Sequence, residues 1–96
     1  MPTYIVLYNY TQQGINKIDK APARAAEARK AFKKAGARLK ADYLTMGQYD
    51  GVAIIEAPDE ETVAKIMLSA GRKGNISTQT MRAFTEKEYK KLVKGL

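Results

Sequence analysis

The sequence predicts an α+β domain in which a four-stranded antiparallel sheet carries two helices on one face. Three observations lead there. Thr3 to Tyr10 mixes β-branched, aromatic and aliphatic residues as a strand does. Two segments with apolar residues at helical spacing each begin beside a proline, Pro22 and Pro58. Between them, Gly47-Gln48 separates two strand-like runs. The resulting order is strand, helix, strand, strand, helix, strand. With right-handed crossovers it gives a sheet of strand order 4-1-3-2.

The first strand, Thr3 to Tyr10, is broken by Thr11-Gln12-Gln13-Gly14. The first helix is expected to start between Asp19 and Pro22, where a proline loses no hydrogen bond. Ala21, Ala25, Ala28, Phe32 and Ala35 form its narrow stripe, with Phe32 as the anchor, and Gly36 is placed to cap its end. Arg38 to Met46 reads as an edge strand of weak pattern. Its register is open, because a bulge would reverse its faces. Gly47 and Gln48 turn it into a third strand, Tyr49 to Glu56.

Pro58-Asp59-Glu60-Glu61 sets acids at a second helix N-terminus, where the backbone dipole favours them. Val63, Ile66, Met67 and Ala70 are its buried stripe, and Gly71 and Gly74 end it. Ile76 to Phe84 is the fourth strand. Thr85-Glu86-Lys87-Glu88 then has the form of a capping box, with Phe84 and Tyr89 at the positions of a hydrophobic staple. This short last helix is expected to pack on the domain edge or on a partner subunit.

Composition narrows the chemistry. Ninety-six residues, 45% of them hydrophobic, make one domain spanning 1–96. There is no cysteine, histidine or tryptophan. Disulfides, thiolate sites and cysteine nucleophiles are therefore excluded, and zinc, haem and imidazole-based catalysis are disfavoured. No metal and no cofactor are expected. No apolar run is long enough to span a bilayer and no signal peptide is visible, so a cytoplasmic location is expected. The net charge of +7 is concentrated in residues 1–40, which carry nine Lys/Arg against Asp19 and Glu27. Such a block suits either a solvated helix face or nucleic acid.

In the expected sheet, Ile5, Leu7, Val52 and Ile54 face the helices. Tyr4, Val6, Tyr8, Tyr10, Tyr49, Gly51, Ala53 and Ile55 then lie on the uncovered face, joined by Thr78, Thr80 and Arg82 of the fourth strand. A face this apolar calls for a cover. A second copy would make a homodimer through the open sheet face. Nucleic acid stacked on tyrosines, as in an RNA-recognition module, is the alternative. Gly51, Ala53 and Ile55 oppose that alternative because they cannot stack bases.

The run Gly47-x-Tyr49-Asp50, the step Glu56-Ala57-Pro58-Asp59 and the run Gly74-Asn75-Ile76-x-Thr78-x-Thr80-x-Arg82-Ala83-Phe84 together resemble the GYD domain family. The resemblance covers nearly the whole chain. It implies a ferredoxin-like fold of the dimeric α/β-barrel group and no established activity. Relatives on that barrel include monooxygenases, isomerases, haem enzymes and ligand domains of regulators, so architecture transfers and chemistry does not.

Beside that resemblance, the residues themselves mark candidate ligand-binding positions at Tyr8, Tyr10, Tyr49, Asp50, Thr78, Thr80 and Arg82. Tyr49 and Asp50 offer a phenol and a carboxylate for proton transfer, or they simply fix a hairpin. Thr78, Thr80 and Arg82 offer hydroxyls and a guanidinium beside the aromatic walls of Tyr8 and Tyr10. A small aromatic or anionic ligand would suit such a site. Ligand binding and cofactor-free catalysis are both open, and the sequence does not decide whether the protein is an enzyme.

Overall fold

A computed structural model describes all residues 1–96. The strands are β1 (Thr3–Tyr10), β2 (Arg38–Leu44), β3 (Gly51–Glu56) and β4 (Ile76–Ala83). The helices are α1 (Gln12–Asn16), α2 (Ala21–Lys34), α3 (Glu60–Arg72) and α4 (Glu86–Lys94), with a 3-10 turn at Ile18–Lys20 before α2. The antiparallel sheet has the order β2-β3-β1-β4, which is the expected order read from the other edge.

Local signals set most boundaries. Asp59 caps α3, its side chain accepting from the Thr62 N–H at 2.8 Å. Thr85 and Glu88 close the capping box of α4 reciprocally, at 3.2 and 2.9 Å. α2 begins at Ala21, just before Pro22, and is followed by Gly36. Helix α1 was not anticipated. Thr11 caps it by accepting from the Gly14 N–H at 3.1 Å, so the segment that breaks β1 coils at once instead of remaining a loop.

The faces of the sheet are the reverse of those expected. Tyr4, Val6, Ala53 and Ile55 are buried against the helices with Phe32, Ala37, Ala57, Val63 and Ile66. Ile5, Leu7, Val52 and Ile54 lie on the uncovered side. Both alternating sets are apolar, so hydropathy alone could not choose between them. Volume complementarity does. Opposite Tyr8 stands Gly51, and opposite Val6 stands Ala53. A Cβ on Gly51 would sit 2.1 Å from the Tyr8 ring carbon that bears the hydroxyl. At Tyr8 and Val6, large β1 side chains thus lie beside small β3 ones, beneath a helix whose own stripe is mostly alanine.

Strand β2 pairs Leu39 with Ile55 but Ala41 with Ile54, which leaves Lys40 as a bulge. Leu39 and Asp42, three residues apart, consequently share the helix-side face, and Tyr43 is turned to the open one. The hairpin to β3 is wider than two residues. Leu44 pairs with Gly51, and the intervening Thr45 bonds Asp50 through its N–H (2.8 Å) and Tyr49 through its hydroxyl (2.7 Å). Gly47 takes a φ of +135° there, a conformation that excludes most side chains.

Phe32 is the anchor of α2, 7% exposed in the middle of the core. Phe32→Ala is expected to lower stability by roughly 3–5 kcal/mol through lost burial and a residual cavity. Urea melts monitored by circular dichroism check this; a loss below about 1 kcal/mol would show that α2 is not docked on the sheet.

Candidate functional site

The candidate site begins with Tyr8. It points to the helix side near the end of β1, and the missing side chain of Gly51 lets its ring reach across β3. Its hydroxyl donates to Asp42 Oδ1 on β2 at 2.6 Å. The Lys40 bulge is what brings Asp42 to that face. Tyr10 stands edge-on to Tyr8, with ring centroids 6.0 Å apart and planes at 81°. Burial raises the Tyr8 pKa above the ordinary tyrosine value, and the Asp42 hydrogen bond and negative charge raise it further. The phenol is thus held as a proton donor to a carboxylate.

Around this pair is a cleft of about 150 Å³ between the sheet and the two long helices. Ala21, Ala25 and Ala28 of α2 form its roof, Val6 and Ala53 its floor, and Ile76 and Thr78 one side. The alanines of α2 leave a gap here, because their side chains stop at Cβ. Arg24 also lines the cleft, but its guanidinium donates to the Gly14 carbonyl oxygen at 3.2 Å and braces α1. A wider furrow of about 560 Å³ separates α2 from α3. Its rim residues Glu27, Lys65 and Lys73 have no side-chain hydrogen bond or ion pair to fix them.

Of the seven candidate positions, Tyr8, Tyr10 and Thr78 meet at this cleft. The other four do not. Asp50 is committed to backbone: its Oδ2 accepts from the Tyr10 N–H at 2.9 Å, and its own N–H lies 3.0 Å from the Tyr8 carbonyl and 2.9 Å from Asn9 Oδ1. Tyr49 donates from its hydroxyl to Gln79 Oε1 at 2.6 Å, across the end of the open face. Thr80 is exposed further along β4, opposite Val6. Arg82 lies 4.3 Å from the centre of the Phe84 ring and 5.7 Å from that of Tyr4, and donates to the Thr3 and Ala83 carbonyls. It is too committed to grip an anion in the cleft.

Asp42 was missed by sequence reasoning. Nothing local marks it; only a bulge in β2 brings it inward, and the register of that strand was open. No three acidic side chains converge in a way that could hold a metal ion, and no helix is long and apolar enough to cross a membrane.

Comparison with known proteins agrees with the fold. The family model described as the GYD domain matches residues 4–93. The "Glutamine synthetase and cystathionine beta-lyase binding protein" of Thermus thermophilus is 38% identical over 84 residues, covering 86% of this chain and 88% of that one. Among solved structures, that of FFRP-DM1 superposes with a TM-score of 0.58 at 20% identity, over 88% of this chain and 100% of that one. The crystal structure of a Thermus thermophilus protein superposes at 0.55 and 22% identity, over 88% of this chain and 95% of its own. At these identities the structures share the fold alone.

Two outcomes test the geometry of the pair. Because its native pKa is raised, Tyr8 contributes stability that is fully present below its ordinary value near pH 10 and lost as pH rises through the raised value. Asp42→Asn is expected to bring Tyr8 ionisation to lower pH, as read by ring carbon chemical shifts during an alkaline titration. Gly51→Ala is expected to push the Tyr8 ring off Asp42 and destabilise the fold by about 1–3 kcal/mol. An unchanged Tyr8 titration in either variant would contradict the contact.

Proposed function

Since the chain belongs to the GYD domain family, we propose that it works as a homodimer, closed by the open sheet faces, that handles a small molecule in the cleft beneath α2, by ligand binding or by cofactor-free catalysis. The observation that carries this reading is the Tyr8–Asp42 pair on a cleft whose lining is mostly hydrophobic. Few polar groups on an apolar lining is the usual make-up of a small-molecule site.

The dimer is supported by the rest of the sheet. Ile5, Leu7, Val52, Ile54 and Met81 form an aliphatic row with no helix over it. Only 11 of 96 residues are buried within one chain, so much apolar surface is left for a second copy. At its margin Glu56 pairs with Arg38 and Lys40 of the same chain. Reading it as a base-stacking platform loses its support, since β1 and β3 present aliphatic side chains there and Tyr4 and Tyr8 are on the other side. The basic residues Arg29, Lys30, Lys33 and Lys34 are exposed on α2.

A second reading is favoured by the name of the 38% identical relative: this chain, too, would bind a metabolic enzyme. Co-elution of the purified protein with purified glutamine synthetase or cystathionine β-lyase would support it; separate elution at micromolar concentration of both would oppose it.

Sedimentation at low micromolar concentration is expected to give a dimer, consistent with at least about 1,200 Å² of buried surface. Leu7→Arg is expected to give a folded monomer, since a guanidinium there would be buried unpaired. A wild-type monomer at every concentration would overturn the dimer.

A further inference from the structure

The cleft carries more information than its volume. Its size, about 150 Å³, matches an engineered apolar cavity known to admit benzene. Tyr8 and Asp42, two of its polar lining residues, have opposite hydrogen-bonding roles, and the Tyr8 proton is committed. The Tyr8 hydroxyl gives its proton to Asp42 Oδ1. Asp42 Oδ2 accepts from no group in the chain, and Asp42 forms no ion pair. Asp42 is exposed, so a ligand donor can reach this oxygen without leaving a buried charge unpaired.

No cation of the chain forms an ion pair with Asp42. Arg24 is bound to the Gly14 carbonyl, and Arg82 stacks on Phe84 away from the cleft. A ligand carboxylate on Asp42 would therefore meet a like charge, which a neutral donor would not.

We infer that the cleft takes a single aromatic ring bearing a neutral proton donor, a phenolic hydroxyl or an aryl amine, with the ring under the alanines of α2 and the donor on Asp42 Oδ2. This rests on the small-molecule reading above and narrows it from aromatic or anionic ligands to donors alone. Tyr10 supplies a ring edge beside the bound ring, and Ala25 and Ala28 allow it to enter because neither carries a side chain past Cβ. Tyr8 holds the Asp42 carboxylate in place, a positioning role.

The test uses phenol, toluene and benzoate as probes, with backbone amide shifts of the intact 96-residue protein as the readout. Concentrations up to about 10 mM cover the range expected for ligands of this size. Phenol is expected to shift amides at Tyr8, Ala25, Asp42 and Thr78, and to bind more tightly than toluene. Asp42→Asn is expected to weaken phenol about tenfold and to leave toluene unchanged, the difference a charge-assisted hydrogen bond makes. Its exposed position on β2 makes a folding failure unexpected, and the circular dichroism spectrum checks that.

Benzoate binding as tightly as phenol, or an unchanged phenol-to-toluene ratio in Asp42→Asn, would overturn the donor assignment and leave the small-molecule cleft standing. No shift in the cleft with any of the three probes would overturn both.

Discussion

The fit of the Tyr8 ring over Gly51 governs much of the rest of this molecule. A ring of that size can lie flat on β3 only where β3 has no side chain, and a Cβ there would fall 2.1 Å from it. Seating Tyr8 this way commits Tyr4 and Val6 to the same side of β1, and Ala53 and Ile55 to the same side of β3. The helices must then cover that side, and the aliphatic row of Ile5, Leu7, Val52 and Ile54 is left for another surface. The span of the ring also places its hydroxyl within 2.6 Å of a carboxylate two strands away. One steric allowance therefore fixes the buried face, the uncovered face and the polar end of the cleft together.

The two sequence signatures brace this arrangement from outside. Asp50, the acid of the Gly-x-Tyr-Asp run, accepts from the Tyr10 N–H and so ties the hairpin to the end of β1. On the opposite flank, the Thr11 hydroxyl donates to the Gly74 carbonyl at 2.6 Å, and the Thr11 N–H to the Asn75 carbonyl at 3.1 Å. Gln13 adds bonds to the Lys73 carbonyl and to Asn75 Oδ1. Both signatures converge on the last residues of β1, where Tyr8 and Tyr10 project. Together these bonds tie the hairpin and the start of β4 to the end of β1 that carries the aromatic pair.

What the sequence revealed depends on how local each signal is. Asp59 and Thr85 announce their helices because a cap and its partner lie three residues apart. Phe32 stands out as the one large residue on an alanine stripe. Strand order comes from the order of elements and the handedness of crossovers. The sheet's inner face was not legible, since each alternating set of β1 is apolar and the deciding contact, Tyr8 against Gly51, joins residues 43 positions apart. Asp42 was illegible for a related reason: its orientation depends on a bulge, and a bulge is a property of two paired strands. Tyr49, Asp50 and Arg82 looked reactive in isolation because their partners, Gln79, the Tyr10 amide and the Phe84 ring, become visible only in three dimensions.

The bulge at Lys40 has a further consequence, for what the sheet cannot do. Both β2 and β4 are edges, and an edge with free backbone groups can recruit a strand from another molecule. On β2 the regular hydrogen-bonding pattern is interrupted at Lys40, and Arg38 and Lys40 place two positive charges beside the interruption. A continuous ribbon needs two adhesive edges per molecule, and here one is spoiled. Any pairing through β4 would join two molecules and stop, since the outward edges of the pair would both be β2. The same irregularity that orients Asp42 thus also makes β2 a poor template for strand addition.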